Sequence, residues 1–221
     1  MSRVGWGAVG VLLAAVCGAQ GAPVQPGAVN FVEGQAAIDG SAITPGALEG
    51  VVVAAGQTLS TENGKAEALL LPGVFLRIAD QTAVKMTSLA PADVQVELLH
   101  GEALLEVVQL GSGRLQVVDD QARVTVEHPG IYEFHASQAA IAVISGKARV
   151  VVNDHATELG KDRQFTLRPD GSGQEGKLAS TGDALYAWSR QRALARPTRN
   201  RNGWTCTGLA WKPWRNTGFA C

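Results

Sequence analysis

The sequence predicts an all-β fold, a roll or sandwich of short strands or a short-rung solenoid-like stack, with one C-terminal α-helix. Three observations predict it. Apolar residues come in short runs closed by turn residues, as in Leu69-Leu70-Leu71 before Pro72-Gly73 and Val74-Phe75-Leu76-Arg77-Ile78 before Asp80-Gln81. Turn signals return roughly every 8–12 residues, the spacing of sandwiches, rolls and short-rung solenoids. A five-residue pattern recurs in Val32-Glu33-Gly34-Gln35-Ala36, Leu99-His100-Gly101-Glu102-Ala103 and Ile144-Ser145-Gly146-Lys147-Ala148. Each copy reads as a strand that bends at glycine and continues as another strand, with alanine packing where layers meet. The copies are too few and too unevenly spaced for a strict solenoid.

Taken in order, residues 1–21 read as a secretory signal peptide. Arg3 supplies the positive end, Val4 to Val16 is apolar apart from glycines, and Ala19-Gln20-Gly21 offers a small-residue cleavage site. Cleavage is expected after Gly21, with Ala22 the runner-up. Cys17 invites comparison with a lipoprotein signal, but Val16 is bulkier than the small residue that such a signal places before its cysteine. The expected location is periplasmic or extracellular. No other segment is long and apolar enough to span a membrane.

Residues 22–168 form the expected β domain. Further runs, Leu115 to Val118 before Asp119-Asp120 and Val124 to Val126 before Pro129-Gly130, continue the pattern. Asn63-Gly64 is the strongest hairpin signal, because a type I′ turn needs positive φ at both central residues. Residues 169–182 read as a Gly/Ser loop. Ser180 or Thr181 is expected to cap a helix over 183–195, with Leu185, Trp188 and Leu194 as its apolar stripe. Residues 196–221 form a basic, Trp-rich, irregular tail. Cys206 and Cys221 are the two cysteines left after the signal, and in an oxidising compartment they read as a disulfide. Closing that loop is worth about 3 kcal/mol in the chain-entropy model.

The composition is globular, with 46% hydrophobic residues, 18% charged residues and 26 glycines in 221 residues. Gly56-Gln57-Thr58-Leu59-Ser60-Thr61, Gly64 to Leu69, Leu76-Arg77-Ile78 and Leu99 to Ala103 occur in the order found in the FecR domain family. Gly130-Ile131-Tyr132-Glu133-Phe134, Val143 to Val150, Leu159-Gly160 and Phe165-Thr166-Leu167 extend that order. Over roughly residues 28–168 the chain therefore resembles this family, named for a periplasmic regulator of ferric citrate uptake. The resemblance implies a β domain that binds or senses a partner. The regulator carries a cytoplasmic segment and a membrane span ahead of its periplasmic domain. The secretory signal here argues for a free-standing exported member, without a transmembrane anti-sigma mechanism.

No pattern recommends catalysis, a cofactor or a metal. Gly171-Ser172-Gly173-Gln174-Glu175-Gly176-Lys177 has P-loop spacing, but Leu178 stands where a Mg²⁺-binding hydroxyl belongs. His100, His128, His135 and His155 lack metal-ligand spacing and read as turn or surface residues. Ser145 lacks a nucleophile elbow, and Asp119-Asp120 reads as a turn.

The tail is different. After Asp183 the chain has seven basic residues and no acid, and every tryptophan beyond the signal lies there. Trp188, Arg192, Arg199, Arg201, Trp204, Trp211, Trp214 and Arg215 are therefore a candidate binding surface for an anionic envelope polymer, a sugar or an envelope protein. Alternatively, the tryptophans cap the β core and the arginines lie across the acidic body. Nucleic acid is not an expected partner. The first functional reading is a non-catalytic binding or sensing module of the envelope. A structural or assembly component is the second, and an envelope-polymer hydrolase the third.

Overall fold

Strands with alternating apolar residues bury one face each, so they need a second layer to pack against. The computed structural model describes residues 25–168, 170–178 and 183–195, with backbone pairs at 198–199 and 205–206. Its first strands are β1 (Ala28–Ile38), β2 (Ser41–Ile43), β3 (Thr58–Leu71), β4 (Val74–Ile78) and β5 (Thr82–Ala90). β6 (Asp93–His100), β7 (Glu102–Val107), β8 (Arg114–Asp119), β9 (Ala122–Val126) and β10 (Gly130–His135) follow. β11 (Ala140–Ser145), β12 (Ala148–Val152), β13 (His155–Leu159), β14 (Arg163–Leu167) and β15 (Gly173–Lys177) complete the sheet. The helix α1 (Ala184–Ala195) comes next, and then β16 (Thr198–Arg199) paired with β17 (Thr205–Cys206). The fold is all-β with one α-helix among the described residues.

The main sheet runs β13-β12-β9-β8-β6-β5-β3-β4-β7-β10-β11-β14-β15, with β1 beside β3 and β2 beside β1. Its pairs are antiparallel except β6 with β8. That pattern makes the architecture a rolled sheet rather than a solenoid. β3 is the hinge between two halves. Its residues Thr58–Thr61 pair with β5, and Ala66–Leu71 pair with β4. Leu76, Leu105 and Phe134 from one half meet Met86, Val96 and Val124 from the other in one core.

Two of the three expected glycine bends join one strand to another, at Gly101 and Gly146; Gly34 instead lies inside β1, where the register with β3 shifts. Gly34, Gly101 and Gly146 have φ of +74°, +88° and +99°. Gly101 carries the chain from β6 to β7 and Gly146 from β11 to β12, each time from one half of the sheet to the other. Ala36, Ala103 and Ala148 behind them are buried. At Gly146 the corner is closed by Tyr132, whose hydroxyl donates to the His128 carbonyl and accepts from the Lys147 amide.

Four expectations need correction. Asn63-Gly64 makes no hairpin; it lies inside β3, with Gly64 opposite Gly34. A Cβ on Gly64 would sit 2.2 Å from the Glu33 carbonyl oxygen, so glycine serves a close cross-strand approach rather than a turn. Part of the expected Gly/Ser loop, Gly173–Lys177, is an edge strand on β14. The Phe165 ring fills the space where a side chain at Gly173 would stand. That pairing also removes any phosphate-cradling loop over Gly171 to Lys177. The helix is capped by Asp183, whose Oδ1 accepts from the Tyr186 amide at 2.7 Å; Ser180 and Thr181 lie outside the described residues. Leu194 is 75% exposed while Leu185 is 2% exposed. The reason is geometric: at about 100° per residue, Leu194 falls on the opposite face of the helix from Leu185. The signal segment 1–21 also lies outside the described residues. No helix among the described residues is long and apolar enough to cross a membrane.

The corner geometry makes a test. Gly146→Ala must place Cβ 2.2 Å from the Tyr132 hydroxyl at positive φ, whereas Gly176→Ala meets open space. Urea unfolding should show a loss of roughly 2–4 kcal/mol for the first and within about 0.5 kcal/mol for the second.

Candidate functional site

Alternation along the strands fixes which side chains leave the core. In β7, Ala103, Leu105 and Val107 point inward, so Glu102, Leu104 and Glu106 point outward. In β10, Tyr132 and Phe134 are in the core, so Glu133 and His135 face out beside them. The same rule turns Arg77 of β4 and Glu67 of β3 to this outer face. Helix α1 covers it. Leu185 packs on Leu104 and Ala79, with Ile131, Tyr186 and Trp188 at the margin. Apart from that small apolar contact, the helix rests on charged and polar groups.

One group centres on Arg77, which is fully buried. Its Nε donates to Glu67 Oε2 at 2.8 Å, and one terminal nitrogen donates to Glu106 Oε2 at 2.6 Å and to Ser189 Oγ of the helix at 2.8 Å. Glu67 is 1% exposed and also lies 3.6 Å from the Arg192 guanidinium. Arg192 stacks over the Phe31 ring, 3.8 Å from its centroid. Trp188 donates from Nε1 to Glu33 Oε2 at 3.0 Å and packs obliquely on Phe31.

The second group surrounds His135. Glu102 Oε1 is 3.5 Å from His135 Nδ1. On the other side of the ring, Glu133 Oε2 and Asp183 Oδ2 lie 4.0 and 3.8 Å from Nε2. Cross-strand register explains the gathering, because His135 is paired directly with Glu102 and Glu133 with Leu104. His135 is half-buried beneath the start of the helix and is not the surface or turn residue expected. Burial, reinforced by the negative charges of Asp183 and Glu102, pushes the Glu133 carboxyl up to about 7. Asp119, read from sequence as part of a turn, is instead buried at the end of β8, with Asp120 in the turn. Burial, with the Asp120 charge added, raises its carboxyl to about 6.

Of the candidate binding surface, Trp188 and Arg192 lie against the protein's own sheet. For Arg199 only the backbone, in β16, is described. Arg201, Trp204, Trp211, Trp214 and Arg215 lie outside the described residues, as do Cys221 and the Cys206 side chain.

Open hollows among the described residues lie elsewhere, one of them at the β8–β9 and β12–β13 turns beside Asp120, Arg123 and Asp154. A second, of about 370 Å³, lies beside the β1–β2 hairpin and is lined by Gly34, Ala36, Ile43, Ser60, Thr61 and Glu62. Another lies where the two ends of the rolled sheet approach, lined partly by His155, Phe165 and Asp170. Asp170 is occupied there: hydrogen bonds from the Ser172 hydroxyl and amide hold its carboxyl below the usual range.

No family model and no curated protein matches the chain. Two solved structures, each described as a candidate anti-sigma factor from Parabacteroides distasonis, resemble it at TM-scores of 0.47 with 20% and 19% identity. The likeness covers 54% of this chain, which spans 59% of the length of each of those chains.

Two outcomes follow. Arg77→Met removes the fully buried cation between Glu67 and Glu106, leaving Glu67 only the longer contact to Arg192, and should cost about 3 kcal/mol in chemical denaturation; adding Glu67→Gln should recover part of the loss. The pH dependence has a defined sign. Glu133 and Asp119 bind protons more tightly folded than unfolded, so their contribution favours the folded state most at low pH. It is lost as pH rises from about 4 toward 7. In chelator-containing buffer the melting temperature should therefore be higher at pH 5 than at pH 7.5. Asp119→Asn and Glu133→Gln should each flatten that slope.

Proposed function

We propose that this chain is an exported, non-catalytic FecR-type domain of the bacterial cell envelope that binds or senses a partner. One observation carries the non-catalytic part: the densest set of titratable groups is roofed by α1, while the open hollows lie elsewhere. Acid–base chemistry needs its groups within hydrogen-bond reach of a bound substrate. Here Glu67, Arg77 and Glu106 are spent on holding the helix. The hollow beside β2 has Glu62 as its single titratable lining residue; in the one between the sheet ends Asp170 is tied into its own turn beside His155; and a third holds Asp120, Arg123 and Asp154 at exposed strand ends.

The FecR part rests on the ordered motifs, and the glycines within them stand at structural positions that suit the resemblance. Gly101 and Gly146 turn corners, Gly64 allows a close strand approach, and Tyr132 closes a corner. Partner binding falls, in this reading, to the basic and aromatic tail, with Arg199, Arg201, Trp204, Trp211, Trp214 and Arg215 offering charge and flat apolar faces to an anionic polymer or envelope protein.

Cell fractionation with N-terminal sequencing should recover a chain beginning at Ala22 outside the cytoplasm; uncleaved material confined to the cytosol would overturn export. The exported protein should sediment with purified peptidoglycan or cross-link to an envelope protein. The combined Arg199→Ala, Arg201→Ala and Arg215→Ala substitutions should reduce that capture at least tenfold with an unchanged melting temperature. Reproducible turnover of an envelope polymer would sink the non-catalytic reading.

A further inference from the structure

We propose that Glu102, His135 and Asp183, with Glu133 beside them, form a site for a first-row divalent cation of the zinc or manganese kind, and that the ion fastens α1 to the sheet. One potential ligand atom each from Glu102, His135 and Asp183 lies within 4.8 Å of the others. Ligand atoms each about 2.0–2.2 Å from one ion lie roughly 3–4 Å apart, so the cluster has to close by about 1 Å, within reach of side-chain torsions. One imidazole among carboxylates is a mixed donor set that suits Zn²⁺ or Mn²⁺ better than a thiolate-seeking or all-oxygen ion.

Three further observations distinguish the cluster from an ordinary acidic patch. Glu133 has a side chain only 5% exposed, yet its Oε1 has no hydrogen-bond partner. His135 Nδ1 and Asp183 Oδ2 are also buried without partners, so three of the five such atoms among the described residues fall in this one cluster. Charge completes the case. Glu102, Glu133 and Asp183 have no lysine or arginine within ion-pair distance among the described residues; their one basic neighbour is His135. Leaving buried polar atoms unpaired costs on the order of 1–3 kcal/mol each, and more when they are charged. A cation held by one ring nitrogen of His135 with Glu102 and Asp183 would offset this charge and give buried Asp183 Oδ2 a partner, with the Glu133 carboxyl beside it.

Asp183 shows how the ion would act. Its Oδ1 caps the helix through the Tyr186 amide, while Oδ2 faces His135. The same carboxylate thus starts α1 and points at ligands on β7 and β10. An ion held there would bridge the residue that caps the helix to two strands of the sheet. This site is independent of the proposed partner and of export.

The test uses the chain from Ala22 onward with Cys206→Ser and Cys221→Ser, so that thiolates cannot supply a competing zinc site. After treatment with chelator and its removal, calorimetric titration with Zn²⁺ and with Mn²⁺ should give one saturable ion per chain for at least one of them. Hydrogen exchange of the α1 amides should slow on binding. Glu102→Gln alters a side chain that is 39% exposed, and Asp183→Asn keeps an N-cap acceptor, so both should fold. Each should weaken binding at least about tenfold. Saturable binding absent for both ions overturns the proposal, as does affinity unchanged in both variants or α1 exchange indifferent to the bound ion. Binding seen with the cysteines and lost without them would assign the metal to the tail and equally overturn it.

Discussion

The structure depends on a sheet that must fold back over itself, and the backbone does so through glycine at positive φ. A flat array of these strands would leave one apolar face in water. At Gly101 the constraint reaches the site directly. The corner ends β6, and its carbonyl accepts the Ala136 amide at 3.0 Å, just past the end of β10. Glu102 is the next residue, and it is held opposite His135 by the ladder between β7 and β10. A Cβ at Gly101 would lie 2.3 Å from Thr82 Oγ1, which accepts the Glu102 amide. The residue that turns the sheet therefore also sets the position of the first acid of the cluster.

The helix adds a second constraint, because it docks largely through charge. Leu185 is its one fully buried apolar side chain among those described; Ser189, Trp188 and Arg192 meet Arg77, Glu33 and Glu67. Buried ion pairs of this sort give back much of their Coulomb energy in lost hydration. They specify where the helix sits more than they add to stability. The geometry of the face follows from alternation: positions that would be solvated on a free sheet carry Glu67, Arg77, Glu106 and Glu133, and α1 then covers them.

Much of the fold was legible in the sequence. The Gly-x-Ala copies around Gly101 and Gly146 marked the bends because few other residues tolerate positive φ there. The run Val74 to Ile78 matched β4 because Pro72-Gly73 and Asp80-Gln81 bound it on both sides. Asn63-Gly64 misled because local turn chemistry cannot reveal that a glycine is needed by a strand alongside. Gly173–Lys177 was hidden by composition: an edge strand needs backbone pairing, which glycine and charged residues provide as well as any. The site was the least legible part. Glu102, Glu133 and His135 occupy ordinary outward positions of amphipathic strands. They become a cluster only through the β7–β10 register and the arrival of Asp183 from far along the chain. The available signal was the excess of acids on outward positions near a lone His135, with Asp183 preceding a helix that needed somewhere to dock.

A helix held by polar contacts differs from one held by apolar area in what release entails. If α1 left, Leu104 and Ala79 would be exposed, a modest apolar loss. Glu67, Arg77, Glu106 and Glu133 would meanwhile regain the water that burial removed. Those terms oppose each other, so the docked and released states lie closer in free energy than they would across an interface of leucines. A change in charge at the contact shifts that balance by the difference in interaction between the two states. Protonation of Glu133 lessens repulsion beside Asp183, and removal of Arg77 increases it around Glu67. Charge at this contact therefore bears on where α1 sits as much as apolar packing does.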